Sequence, residues 1–399
     1  MKSLSTQELL KRVFSQPTAP FREGFVRSEL SRILSSAGIP HFIDKTGNLI
    51  AGVGSFTELR RQSSSYRVAL MAHMDHPGFH LDRRLGPRLY QCRWYGGAPW
   101  GGMNHQSVRL HDPHLAPRTK STVALSGVRG KILPLPGKFQ GRADGRVFKV
   151  KFERDISEFS KMSFGGFDFP AFQRRGDLIF TRAADDLAGC VIALGALLDQ
   201  ETERLKSKTR TPRNLLAIFT RAEEVGFVGC TDLLKQKTLP KNLWLISLEA
   251  SKTLPGAELG KGPVLRIGDR VSLFDSEFSS LLWSVARDLE KKTQFRFQRR
   301  LMDGGTCEAT PLSLNGYKVT AIAVPLLNYH NGDANDRPAP EAISLRDTVQ
   351  ARHLCLQISH FLRTHPKWRI QRLKEIASYH RRHQKQLRKK ITYHGETPL

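Results

Sequence analysis

The apolar run Leu215-Leu216-Ala217-Ile218-Phe219 leads directly into Thr220-Arg221-Ala222-Glu223-Glu224-Val225-Gly226, and no other stretch limits the available folds as much. An unbroken aliphatic run that ends at glycines reads as a strand buried on both faces, of the kind found in largely parallel sheets covered by helices. Side chains alternate along an extended chain, so Glu223 and Glu224 are expected to diverge as the strand ends. One can then hold a cation while the other faces whatever the cation activates. Ligands of open α/β sheets collect at the carboxyl ends of the strands, where this pair falls. Taken alone, the pair also reads as a solvated acidic turn.

The same pattern recurs along the chain. Tyr66 to Ala72 is an apolar strand that delivers His73-Met74-Asp75. Histidine and aspartate two apart on extended backbone point to one side, so a carboxylate can hold one imidazole nitrogen while the other binds a metal. Asp177 to Ala184 is a short strand running into Asp185-Asp186, and Leu187 to Leu198 is an apolar helix behind it. A carboxylate there also suits a helix cap. Leu243 to Leu248 reads as a buried strand ending at Glu249. Val319 to Leu327 reads as the last buried strand, with Tyr329-His330 just past it. Thus His73, Asp185, Glu223, Glu224, Glu249 and His330 are all expected at strand ends along one edge of a parallel sheet. Two imidazoles and several carboxylates converging there suit borderline divalent metals such as zinc, cobalt or manganese.

Helical spacing covers Thr6 to Phe14, Glu23 to Ser36, Asp275 to Lys292 and Ser344 to Leu362, and Gly304 to Ala309 opens a further helix. Between Pro77 and Ala171 the character changes. This segment is rich in Gly, Pro and Arg, with short alternating stretches at Ser121–Leu125, Lys131–Leu135 and Arg146–Phe152. It reads as small β-structure inserted between strands of a host domain. The expected organisation is a catalytic domain in two parts, 1–76 and 172–365, an inserted domain at 77–171, and a basic tail at 366–399.

Composition narrows the function. The 399 residues are 39% hydrophobic, enough for a sizeable core. No apolar run is long enough to span a bilayer, and the polar N-terminus lacks a signal-peptide core, so a membrane partner and export are not expected. The five cysteines are scattered without paired spacing, against a disulfide framework and consistent with a reducing cytoplasm. The net charge of +26 has its sharpest concentration in the segment from Arg363 to Leu399, where eleven Lys and Arg face two glutamates. Such a field favours polyanions, and nucleic acid is a possible partner of this tail, although no base-reading motif accompanies it.

Taken together, the motifs resemble the dinuclear metallopeptidases of the glutamyl aminopeptidase and TET aminopeptidase family. The resemblance runs from about Leu9 to Arg363. Asp44-Lys45-Thr46-Gly47-Asn48-Leu49 resembles the family's Asp-x-x-Gly-Asn-Leu hairpin, and Ala72 to Phe79 its Ala-His-x-Asp-Glu-x-Gly-Phe. Asp185 to Cys190 is similar to Asp-Asp-Arg-x-Gly-Cys, and Glu223-Glu224-Val225-Gly226 matches Glu-Glu-Val-Gly throughout. Gly304-Gly305-Thr306 resembles the start of Gly-Gly-Thr-Asp-Ala, and Pro325 to Asn331 the Pro-x-Arg-Tyr-x-His-Ser ending. The resemblance implies an α/β, phosphorylase/hydrolase-like mixed sheet flanked by helices, with an inserted small PDZ-like β-barrel.

It also implies roles. Asp185 bridges two metal ions, His73 and Glu249 complete one site, and Glu224 and His330 complete the other. Asp75 orients His73, Asp186 supports Asp185 across a cis peptide, and Glu223 is the general base. The implied reaction removes N-terminal residues from short peptides by a metal-activated water. A homo-oligomer is possible, because family members often form large hollow assemblies. Several positions depart from the family pattern: Glu249 for aspartate, His76 for glutamate, Leu187 for arginine, Cys307-Glu308 for Asp-Ala, Leu327 for arginine, and a polar insertion from Asn331 to Pro340. The alternatives are a related binuclear carboxypeptidase, dipeptidase or deacylase, and a non-catalytic polyanion-binding scaffold.

Overall fold

Aliphatic runs separated by turn residues become the strands of one large mixed sheet. The computed structural model describes residues 4–61, 68–114, 127–135, 145–207, 213–365 and 368–387. The stretch Ser121–Leu125, the beginning of the expected strand at Tyr66, and 388–399 of the basic tail lie outside the described residues. The chain divides into two compact units, Met1–Ser359 and His360–Leu399.

In chain order the strands are β1 (His41–Ile43), β2 (Leu49–Ala51), β3 (Val68–His73), β4 (Gly78–Arg84), β5 (Leu89–Tyr95), β6 (Ser107–His111), β7 (Val128–Ile132), β8 (Val147–Phe152), β9 (Phe164–Phe167), β10 (Gln173–Arg175), β11 (Leu178–Thr181), β12 (Leu215–Thr220), β13 (Trp244–Lys252), β14 (Val264–Gly268), β15 (Gln298–Leu301), β16 (Lys318–Leu327) and β17 (Glu341–Ser344). The helices are α1 (Thr6–Phe14), α2 (Gly24–Ser36), α3 (Phe56–Arg61), α4 (Leu187–Lys206), α5 (Val228–Lys235), α6 (Ser276–Lys292), α7 (Ala309–Leu314), α8 (Leu345–Thr364) and α9 (Trp368–Leu387).

The main sheet has the order β1-β2-β12-β3-β13-β16-β17-β11-β10, with β14 pairing both β16 and β15. Strands β12, β3, β13 and β16 are mutually parallel. Strand β17 is antiparallel to both β16 and β11, so β11 runs the same way as the parallel set. The carboxyl ends of these five strands therefore share one edge. The sheet is covered on both faces. Ala69, Met71, Leu216 and Ile218 pack with Leu233 of α5 and Leu312 of α7 on one side. On the other side α4 lies across β3, β12 and β13. This two-sided burial explains why the strands read as continuous apolar runs.

Strands β4, β5, β8, β7, β6 and β9 close into an antiparallel barrel inserted after β3. Strand β8 shows the period-two logic plainly: Phe148, Val150 and Phe152 are buried while Val147, Lys149 and Lys151 face out. An aromatic core of Phe79, Trp94, Trp100 and Phe148 fills the barrel.

Helix starts follow their capping residues. The Ser5–Glu8 capping box opens α1, and the Asp275 carboxylate accepts from Phe278 N to open α6. Three expectations fail. Glu249 is not at a strand end: β13 continues through Lys252 because Ala250 to Lys252 stay paired with β16. Val319–Leu327 is not the last buried strand, since β17 follows it and is buried throughout. Glu223 and Glu224 do not extend β12 either. The strand stops at Thr220, Ala222 takes φ 50°, and a tight turn follows.

Candidate active site

Each candidate residue reaches the shared sheet edge by a different route. His73 ends β3, Asp185 sits in the loop after β11, and Glu223 and Glu224 occupy the turn after β12. Glu249 points out of the interior of β13, and His330 follows β16 in a short helical turn with φ 55°. The Asp185–Asp186 peptide is cis. Asp186 then caps α4, accepting from Gly189 N at 3.1 Å.

The geometry centres on Asp185. Its Oδ1 lies 3.6 Å from His73 Nε2 and its Oδ2 lies 3.6 Å from His330 Nε2. His330 Nε2 is also 3.1 Å from Glu224 Oε2, and His73 Nε2 is 3.7 Å from Glu223 Oε2. The two glutamates thus part toward different imidazoles, through the turn and not through strand alternation. Three groups have donor atoms close enough to share one ion: His73, Asp185 and Glu249; Asp185, Glu224 and His330; and His73, Glu223 and Glu224. The donor set fits cations. Asp185 Oδ1, Asp186 Oδ2 and Glu224 Oε1 are buried carboxylate oxygens without a protein hydrogen-bond donor.

Asp75 does more than face His73. His73 Nδ1 lies 3.2 Å from the Asp75 carbonyl and 3.5 Å from its carboxylate. That carboxylate accepts the backbone N–H of Glu223 at 3.0 Å and of Glu224 at 3.1 Å, which fixes the acidic turn. Two further carboxylates act on backbone in the same way, and neither was singled out by the sequence. Glu23 accepts from Ala222 N at 3.0 Å. Glu341, at the start of β17, accepts from Ala184 N at 2.6 Å, Asp185 N at 3.1 Å and His330 N at 2.9 Å. Of the substituted neighbours, His76 donates through Nδ1 to the Asp185 carbonyl at 2.6 Å, and its Nε2 meets the Asn331 side-chain amide at 3.0 Å.

Crowding of buried acids sets the electrostatics. Burial pushes the Glu223, Glu224 and Asp186 carboxyls well above their ordinary range. It also raises Glu249 against the pull of Arg266, takes Glu341 up to about 7 and takes Glu308 up to about 8. Burial alone depresses His73, but the Glu223 charge and the close Asp185 and Asp75 carboxylates outweigh it and raise His73 well above its ordinary value. Carboxyls outnumber the positive groups His73 and Arg266 here, and a cation among these oxygens would lower every one of these carboxyls.

A cleft of about 450 Å³ opens over the cluster. His73, Asp185, Glu223 and Glu249 line it, together with Arg266, Met302, Gly304, Gly305 and Tyr329. Glu223 faces this cleft, whereas Glu224 is not among its lining residues. Close approach of the barrel seals the other side of His330, where a Cβ on Gly97 would come within 2.3 Å of Nδ1.

The model of a known family, M42 glutamyl aminopeptidase, matches residues 150–337, the span that holds Asp185, Glu223, Glu224, Glu249 and His330. Over that span, somewhat less than half of its length, the chain is similar to the M42 glutamyl aminopeptidase family. The matched family is one of peptide hydrolases. Solved structures share the fold of this chain. The TET1 peptidase of Pyrococcus horikoshii, described as able to assemble into a tetrahedron or a large octahedral shell, matches with a TM-score of 0.67 at 21% identity, over 89% of this chain and 99% of that one. An aminopeptidase from the archaeon Desulfurococcus kamchatkensis matches with a TM-score of 0.66 at 21% identity, over 88% and 93%. A TET aminopeptidase from a marine-sediment thaumarchaeote matches with a TM-score of 0.69 at 18% identity, over 88% and 96%. No curated protein matches the sequence. Among the described residues no helix is long and apolar enough to cross a membrane.

The contacts of Glu341 give one testable consequence. Glu341→Ala removes the acceptor for three backbone N–H groups that set the Asp185 and His330 positions. Metal affinity, read by competition with a chelator, is expected to fall about 10–100-fold, the scale of losing a group that orients a ligand. Unchanged affinity would mean that Asp185 and His330 are held by other contacts.

Proposed function

We propose that this chain is a dinuclear aminopeptidase of the M42 type that removes N-terminal residues from short peptides. The observation that carries the reading is Asp185, whose two oxygens face His73 and His330 separately, as a ligand shared between two ions would. In this reading His73, Asp185 and Glu249 would hold one ion, and Asp185, Glu224 and His330 would hold the other. Asp75 positions His73 and the acidic turn, and Asp186 supports Asp185. Two divalent ions bound there supply a water of lowered pKa and a Lewis acid for the scissile carbonyl. Zinc, cobalt and manganese all suit the mixed imidazole and carboxylate donors.

The other steps fall to the chain's own side chains. Glu223 is the general base: it faces the cleft, takes the proton of the attacking water and returns it to the leaving amine. The carboxylates that line the cleft, Asp185, Glu223 and Glu249, favour a peptide bound with its free α-amine inward. The five cysteines, all free and buried, suit a reducing cytoplasm. A homo-oligomer is also proposed, by analogy with the assembly described for the P. horikoshii peptidase.

The test joins metal analysis to turnover. Purified, metal-replete protein is expected to hold two divalent ions per chain, to cleave a free-amine peptide, to spare its N-acetylated twin and to lose turnover with a chelator. One ion per chain at full activity would overturn the dinuclear reading, and equal cleavage of both peptides would overturn the aminopeptidase reading.

A further inference from the structure

A second cavity, of about 360 Å³, lies between the start of α2, Arg221 and the barrel residues Pro113 and Met162. It shares no lining residue with the cleft over Glu223. Three guanidinium groups, Arg22, Arg27 and Arg221, line it, and no carboxylate is among the described lining residues.

The arginines are crowded, and among the described residues only Arg221 of the three has a carboxylate in ion-pair contact. Arg27 Nη1 and Arg221 Nη1 lie 2.6 and 2.9 Å from the point where a Cβ on Gly47 would sit. Arg27 donates to the Gly47 carbonyl at 3.0 Å and Arg22 to the Phe21 carbonyl at 3.1 Å, both neutral acceptors. Arg22 Nε is buried without a protein partner. Nearby Glu23 is already committed: its Oε2 accepts from Arg221 at 2.7 Å, while its Oε1 accepts from Phe21 N and Ala222 N. Burial lowers the pKa of Arg22 and of Arg27, outweighing the opposing charge of Glu23, and the charge of Arg221 adds to the lowering on both. Like charges held together around an open cavity are costly unless an anion joins them, and the planar fork of arginine matches tetrahedral oxyanions two bonds at a time.

We propose that this cavity is an anion-binding site for a phosphate group, carried either by the free ion or by a small phosphate ester. The site is wired to the acidic turn. Arg221 and Ala222 both bond Glu23, and Glu223 is the next residue. An anion on Arg221 competes with Glu23 for the guanidinium, so occupancy is felt by the backbone that carries Glu223.

The experiment is a calorimetric titration of the full-length, metal-loaded protein with inorganic phosphate and, separately, with glycerol 3-phosphate. A phosphate can also bind metal ions, so the relevant binding event is the one that persists in Glu224→Gln and is lost in the double variant Arg22→Gln, Arg27→Gln. Affinity at that site is expected to fall at least about tenfold in the double variant, from loss of charge-assisted bonds. Gly24→Leu tests the same site with all arginines present. A Cβ there meets nothing within 4 Å, so the side chain enters the cavity while helix propensity improves. It too should abolish binding. Tighter binding of the ester than of phosphate assigns the ester as ligand, and the reverse assigns the free ion. The proposal is overturned if neither ligand binds, or if both variants bind as the parent does. It is equally overturned if Arg287→Gln with Lys291→Gln, on the remote face of α6, weakens binding as much, since that result reports only net charge.

Discussion

Glutamine at position 223 is expected to reduce kcat by about a hundredfold or more while both metal equivalents stay bound, because losing a general base costs on the order of 10²–10⁴ in rate. The substitution keeps size and shape and removes the proton acceptor. Position 223 keeps its place because the Asp75 carboxylate holds the backbone N–H groups of residues 223 and 224, not their side chains. Glu224→Gln has the same backbone support and a different expected outcome. Its carboxylate lies 3.1 Å from His330 Nε2, away from the cleft lining, and a neutral amide is a weaker partner for a dication. Metal content should therefore fall in Glu224→Gln and hold in Glu223→Gln. Metal analysis beside single-substrate kinetics on both variants decides the matter. The opposite pattern exchanges the two roles, and full activity in both variants moves the chemistry elsewhere.

What made these two glutamates legible was local. A run of aliphatic residues reports burial on both faces, and a polar residue just beyond it reports the exposed edge of the sheet. His73 and the turn after β12 follow that rule, and the parallel pairing of β3, β12, β13 and β16 brings them together. The order of motifs supplied the family, including the barrel between β3 and α4. Boundaries that depend on pairing were not legible. Glu249 looked terminal because apolar character stops at Leu248, yet hydrogen bonding to β16 carries β13 on to Lys252. The acidic turn was read as strand because no residue announces the φ of 50° at Ala222.

Residues that act through backbone at long range left no sequence signal at all. Glu341 is 156 positions from Asp185, whose N–H it holds, and it starts a four-residue strand with no alternation to betray it. Glu23 lies 199 positions from Ala222 and looks like an ordinary acid beside a helix. His76 and Asn331 were visible as departures from the family pattern, but only the folded chain shows them in contact, 255 positions apart. Glu308, a carboxylate where the family pattern has alanine, is buried in the same electrostatic field.

These buried acids make the metal-free protein sensitive to alkali. Glu341 and Glu308 hold their protons to about pH 7 and about pH 8, while in the unfolded chain both ionise near 4.5. Between those limits the folded state binds more protons than the unfolded state, so stability falls as pH rises. Their contribution is complete below pH 4.5 and is lost as pH passes through 7 to 8. The Glu341 shift alone corresponds to roughly 3 kcal/mol, at about 1.4 kcal/mol per unit. Two buried histidines oppose this trend, His80 with its pKa lowered to about 4 and His111 lowered well below its usual value. They gain from deprotonation only up to about pH 6.5, where the unfolded imidazole titrates. Above that pH the carboxylates dominate. Chelated protein is therefore expected to lose on the order of 5 °C in Tm between pH 6.5 and 8.5. Metal-loaded protein should respond in the opposite sense, since the ligands must be ionised to bind and ligand binding stabilises by mass action. The gap between loaded and chelated Tm should then widen steadily from pH 6.5 to 8.5. A gap that stays constant across that range would mean that the buried carboxylates are not where the cation binds.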